Sequence, residues 1–169
     1  MKFLSNFVFL LILLPVVSQG QKLGYVNSQE ILSKMTEVKI ANIQLESYEK
    51  ELAAKGEQMV LLFENQYKLY MNDVNAGILS KVQMAQKEEE LIKKQEEIKN
   101  YESEMEMLLE KKQAELFEPI MSKIKDEINK IGKEGNYSMI LDSSQGLLLH
   151  ATETENLAPL LKTKLSIPE

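Results

Sequence analysis

Tyr70–Lys81 reads YMNDVNAGILSK, and it is the only place between Thr36 and Glu115 where Asn, Asp and Gly crowd together. Upstream, from Thr36 to Met71, there is no Pro and the only Gly is Gly56. Downstream, from Leu79 to Glu115, there is neither Pro nor Gly. Gly and Asn accept the backbone conformations that end a helix. One short polar turn between two long helical runs therefore predicts a helical hairpin, with its tip near residues 72–78.

The apolar spacing on both sides supports that reading. Before the turn, Val38, Ala41, Leu45, Tyr48, Leu52, Met59 and Leu62 follow each other in heptad rhythm, with Lys55 and Gln66 as interruptions. After it, QKEEELIKKQEEIKNYESEMEM keeps a thin stripe, Met84, Leu91, Ile98 and Met105, one residue in every seven. So polar a helix needs a partner along its stripe, because propensity alone is too weak to hold it in water. A fold-back about Val74–Ala76 sets residue i against 150 − i. It pairs Met59 with Leu91, Leu52 with Ile98, Leu45 with Met105 and Ala41 with Leu109, and sets Tyr48 beside Tyr101 and Glu102. The expected arm seam is thus Leu45, Leu52, Met59, Leu91, Ile98 and Met105. At 1.5 Å per residue each segment is roughly 54 Å long, too long to pack inside a small domain, so the hairpin should project.

The two ends of the chain have a different character. Leu23–Val26 reads as a short strand, and Asn27 with Glu30 has capping-box spacing, which starts a helix at Asn27. From Leu116 the apolar face broadens to Leu116, Ile120, Met121, Ile124, Ile128 and Ile131, as on a core-facing helix, with Pro119 as a kink or a new first turn. YSMILD and LLLHA flank SSQG, which predicts a β-hairpin. A short final helix follows, expected to start near Asn156 because Pro159 suits a first turn. The fold class expected is α+β: a small β-containing oligomerisation body, 21–35 plus 116–169, with a long antiparallel coiled-coil arm, 36–115, inserted in it. So small a core predicts an oligomer.

The first twenty residues, MKFLSNFVFLLILLPVVSQG, have a basic start, an apolar run from Phe7 to Val17, and Ser18 and Gly20 at the −3 and −1 positions of a cleavage site. That is signal peptide architecture, with cleavage after Gly20, and the apolar run is short for a membrane span. Removing Lys2 with the leader leaves 19 lysines against 26 acids, a net of −7, and no Arg. Acidity without arginine argues against nucleic acid as a partner. There is no Cys, so neither a lipid anchor after the leader nor a disulfide framework is expected.

No constellation for catalysis is visible. His150 is the only histidine, and Asp142, Ser143 and His150 lack any nucleophile-elbow context. One His and no Cys give too few donors for a transition metal. The acids Glu88–Glu90 and Glu96–Glu97 read as a solvated helix face with Lys partners four residues on, Glu89–Lys93 and Glu90–Lys94. No phosphate loop and no cofactor are expected. Binding remains. MVLLFENQYKLYM, Met59–Met71, has more apolar residues than one seam can use. Val60, Phe63, Tyr67, Tyr70 and Met71 are left partly exposed as a patch for apolar clients, and Met and Tyr suit promiscuous contacts.

LGYVNSQEIL near the start and PIMSKIKDEINKIGKEGNYSMILDSSQGLLLHATETENLAPLLKTKL at the end resemble the Skp/OmpH family of periplasmic chaperones. The resemblance implies a homotrimer joined through its bodies, with three helical arms around a cavity. It implies an ATP-independent holdase that keeps unfolded outer-membrane β-barrel proteins in that cavity, with no stable membrane insertion. The best-known members are strongly basic and this chain is acidic, so lipopolysaccharide binding is not carried over. The alternative reading is a structural coiled-coil spacer or adaptor of the envelope, with one specific partner at the arm tip.

Overall fold

The computed structural model describes residues 21–146 and 148–167. The expected leader, 1–20, lies outside the described residues. In chain order the elements are β1 (Leu23–Val26), α1 (Ser28–Lys34), α2 (Thr36–Asn75), α3 (Lys81–Glu134), β2 (Met139–Asp142), a 3-10 turn (Glu153–Glu155) and α4 (Ala158–Lys164).

Local chemistry explains the starts and stops. The Asn27 side chain accepts from the Glu30 backbone N–H at 3.0 Å, capping α1. Met35, in extended backbone, separates α1 from α2. Thr152 and Glu155 form a reciprocal capping box, but it encloses a single 3-10 turn, and α4 begins only at Ala158 with Pro159 in its first turn. The expected new start at Pro119 is absent, since α3 runs unbroken for 54 residues, about 81 Å. The missing Pro119 N–H strands the carbonyl of Glu115, and Glu115 is exposed enough for solvent to cover it.

The strands differ from expectation. Among the described residues the C-terminal end forms no hairpin: β2 pairs with β1, in parallel, with Leu23 opposite Met139 and Val26 opposite Asp142. Residues 148–151 form no strand, and Leu149 is 95% exposed. The Gly146 turn is present, at φ 69°, but the chain after it does not return along β2. The far edge of β1 is taken instead by Asn156 and Leu157, whose N–H donates to the Tyr25 carbonyl at 2.8 Å. Parallel strands need a long crossover, and here α1, α2 and α3 supply it. The arm is therefore an insertion in a βαβ-type connection.

The core lies where β1, α1, the root of α2, the last turns of α3 and α4 meet. Ile31 and Leu161 are fully buried, with Met35, Val26, Ile124 and Ile131 around them. It reaches Val38 and Ala41 on α2 and, half-buried, Leu116 and Phe117 on α3. Ala41 thus belongs to this cluster and not to a pair with Leu109. Ion pairs bind its rim: Lys162 to Glu30 at 2.6 Å, Lys164 to Glu134 at 2.9 Å and Lys123 to Glu37 at 2.5 Å.

Beyond the core, α2 and α3 run on as an antiparallel pair. The reversal occupies Ala76–Ser80, a little past the expected fold-back. Gly77 sits at φ 66°, where a side chain would be strained. Ser80 and Gln83 then exchange both bonds of a capping box and start α3. This later reversal moves the register. Tyr101 packs on Gly56, and Gln66 and Tyr70 face Leu91 and Lys87. Residue i therefore faces 157 − i, one heptad along from the expected 150 − i. The expected pairs Leu52–Ile98, Leu45–Met105 and Met59–Leu91 are corrected accordingly. Leu52 lies by Tyr101, whose hydroxyl donates to the Leu52 carbonyl at 2.9 Å, and Tyr48 lies under the Lys112 ammonium at 5.9 Å rather than beside Tyr101.

Candidate functional site

The outer part of the arm carries the site the sequence pointed to. Its seam passes through Leu52, Gly56, Met59, Phe63 and Tyr70 on α2, all buried or half-buried. The step from Leu52 to Gly56 is four, following the four from Tyr48. Such an inserted residue unwinds a coiled coil locally. Gly56 rather than Lys55 therefore takes the seam position. A Cβ on Gly56 would stand 3.4 Å from the Tyr101 ring, so the glycine admits that ring. The Lys55 ammonium covers the ring at 4.7 Å. On α3, Met84, Leu91, Ile98 and Met105 are half-buried along the seam, with Lys87 and Lys94 half-buried between them. Their aliphatic stems lie along the apolar surface, and Lys87 reaches Asp73 at 3.6 Å.

The shift at Gly56 changes which side chains are free. Leu62, expected in the seam, is 59% exposed, and Phe63 is turned inward in its place. Tyr70, expected on the patch, is buried in the seam, and its hydroxyl donates to the Glu88 carboxylate at 2.5 Å. That bond, with the negative charge behind it, holds the Tyr70 phenol above its ordinary range. Of the five expected patch residues, Val60, Tyr67 and Met71 are exposed; Phe63 is half-buried, its ring stacked on Tyr67 at 6.3 Å. Leu61, Leu69, Ile78 and Val82 are also exposed, each by more than half. The sequence reading missed these. The S-x-x-Q spacing of Ser80 and Gln83 was the signal that would have placed the reversal correctly, and with it the register.

The result is an apolar strip on the distal half of α2. Residues 60–72 hold one Glu, one Lys and six exposed or half-exposed large apolar side chains outside the seam, from Val60 to Met71. A strip of this kind can hold apolar surface but offers no group for chemistry. His150 is exposed on an irregular stretch. Among the described residues no group of three or more His, Cys, Asp or Glu stands together as a metal site. None of the described helices is long and apolar enough to cross a membrane.

A second apolar surface lies on the body. Strand alternation buries Gly24 and Val26 against the core and turns Leu23 outward, and β2 adds Met139 and Leu141 in register on the same side. Leu23, Met139 and Leu141 are 41%, 54% and 40% exposed.

Among solved structures, the chain is similar to a candidate outer membrane chaperone (OmpH-like) from Caulobacter crescentus CB15, with a TM-score of 0.73 over 86% of this chain and 83% of that one, at 11% identity. At that identity the likeness is one of fold. No curated protein matches the sequence. The family model described as "Outer membrane protein (OmpH-like)" matches residues 22–165, almost the whole of the described chain, and so the protein belongs to the OmpH-like family.

Proposed function

We propose that this protein is an ATP-independent holdase of the periplasm, exported by cleavage after Gly20, that keeps unfolded outer-membrane β-barrel proteins from aggregating. The observation that carries the reading is the apolar strip on distal α2, held far from the core by a seam too thin to bury it. A single contact with an unfolded chain is weak. Several arms around one space raise the effective concentration of such contacts, so a client is held while each contact exchanges. The body, 21–35 with 116–169, serves assembly, and the outward face of Leu23, Met139 and Leu141 supports a trimer joined through that sheet. Folding of the client barrel buries the surfaces the arms touched, so release needs no nucleotide.

The test is dilution of a urea-unfolded barrel protein into the purified mature chain, followed by light scattering. Near-stoichiometric protein is expected to suppress aggregation of several different barrels. A form shortened by residues 60–90 should still assemble but hold poorly. Suppression for none of them would instead favour an envelope spacer with one partner at its tip, for which exposed Ile78 and Val82 supply a contact.

A further inference from the structure

The strip on α2 has an acidic neighbour. Residues 88–110 of α3 carry nine glutamates and three lysines. Glu90, Glu97 and Glu104 recur every seventh residue along one flank, and all are exposed. None of the three forms an ion pair within 4.0 Å among the described residues, although Glu90 acts on Lys93 through space. The same flank of α2 holds Leu62 and Leu69. Leu69 and Glu90 line one surface cleft of about 130 Å³ with Gln66, Tyr70, Lys87 and Leu91. The Lys87 ammonium in that cleft is drawn toward Asp73. By the heptad repeat, Leu62 stands across from Glu97 as Leu69 stands across from Glu90. Along Glu90 and Glu97 the groove between the helices thus has an apolar wall on α2 and a carboxylate wall on α3, and the next repeat sets Lys55 across from Glu104.

We infer that this groove selects cationic segments of unfolded polypeptide, in which apolar residues are interspersed with Lys or Arg. The inference rests on the holding reading above and adds the charge of what is held. Each wall answers one half of such a segment. Leu62 and Leu69 remove apolar surface from water. The exposed carboxylates attract its cations and repel acidic segments. The whole chain strengthens the bias, since the described arm between 36 and 115 has 17 acids against 11 lysines. A field of one sign raises the local concentration of oppositely charged ligands and fades with salt.

The experiment uses the full mature protein and three fluorescent, unstructured peptides that share their apolar residues and differ only in having Lys, Ser or Glu between them. Anisotropy titrations are run at low salt and at about 0.5 M salt, where screening acts within a few ångström. The Lys peptide is expected to bind about tenfold tighter than the Ser peptide at low salt, and the Glu peptide weakest, with the spread collapsing at high salt. The triple variant Glu90→Gln, Glu97→Gln, Glu104→Gln changes only exposed side chains. It should keep Ser-peptide binding and lose the preference for Lys. Equal binding of all three peptides, with barrels still held, overturns the charge selection and leaves the holdase reading standing. Failure to bind any peptide or any barrel overturns both. A Lys preference that survives in the triple variant also overturns it, as does apparent affinity that falls when the protein is concentrated, which would assign the groove to a second copy of the chain.

Discussion

The body and the arm are built from the same residue types but held by different amounts of burial. In the body, Ile31, Met35, Leu161 and Val26 are almost completely enclosed, and five elements contribute to one cluster. In the arm, beyond Ala41, only Leu52, Tyr70 and Tyr101 are buried, each by a single partner helix. Two of those three are tyrosines whose hydroxyls must find acceptors, Glu88 for Tyr70 and the Leu52 carbonyl for Tyr101. A core closes on all sides; a two-helix seam closes on one. Stability that comes from few buried contacts per residue is lost locally first. The arm is therefore the part free to open and to leave apolar surface exposed, while the body keeps it anchored.

Leu161→Ala removes a fully buried side chain from the body and should cost about 2–5 kcal/mol, lowering the midpoint of denaturant unfolding for the whole chain. Unchanged unfolding would mean that the cluster does not govern the body. Leu52→Asp should cost roughly 1.5–3 kcal/mol of burial, with the carboxylate adding to it, yet act locally. Amide exchange should quicken along residues 45–110 and stay slow in α1 and α4. Equal acceleration everywhere would show that arm and body melt as one.

Smaller changes should have smaller, local effects. Tyr101→Phe removes one buried hydroxyl and should cost about 1 kcal/mol, again seen only in the exchange of the arm. Asp142→Asn tests the body's rim. Burial pushes that carboxyl up, but hydrogen bonds from the Ser28 hydroxyl, the Ser144 N–H and the Ser28 N–H outweigh it, and the pKa is lowered. A lowered folded-state pKa contributes stability above the unfolded value of about 3.8 and loses it as pH falls through the folded value. The wild type should weaken in that acid range, and Asp142→Asn should flatten that limb at a cost of about 1 kcal/mol or less near neutral pH. An unchanged acid limb in the variant would remove Asp142 from the account.

Particular residues show why parts of the fold could be read directly. Leu23–Val26, the Asn27 cap and the hairpin itself depend on neighbours within a few residues or on heptad spacing, and all are present as expected. Tyr70 was misread because a one-heptad shift and the jump at Gly56 rotate the seam, and both depend on how Tyr101 fits against a distant glycine. The strip was half legible. Its excess of apolar residues could be counted, but which of them face water could not.

From its own spacing, caps and turn residues, the chain determines two long helices that double back, because those signals act within one turn of helix. Three features come only from the tertiary structure: the heptad in which the helices meet, the parallel pairing of β1 with β2, and the outward turn of Leu62 and Leu69. A heptad stripe offers several registers of similar energy, and a strand edge offers several partners. Only contacts between residues far apart in the chain distinguish them, and those contacts are made when Tyr101 finds Gly56 and Asn156 and Leu157 occupy the edge of β1.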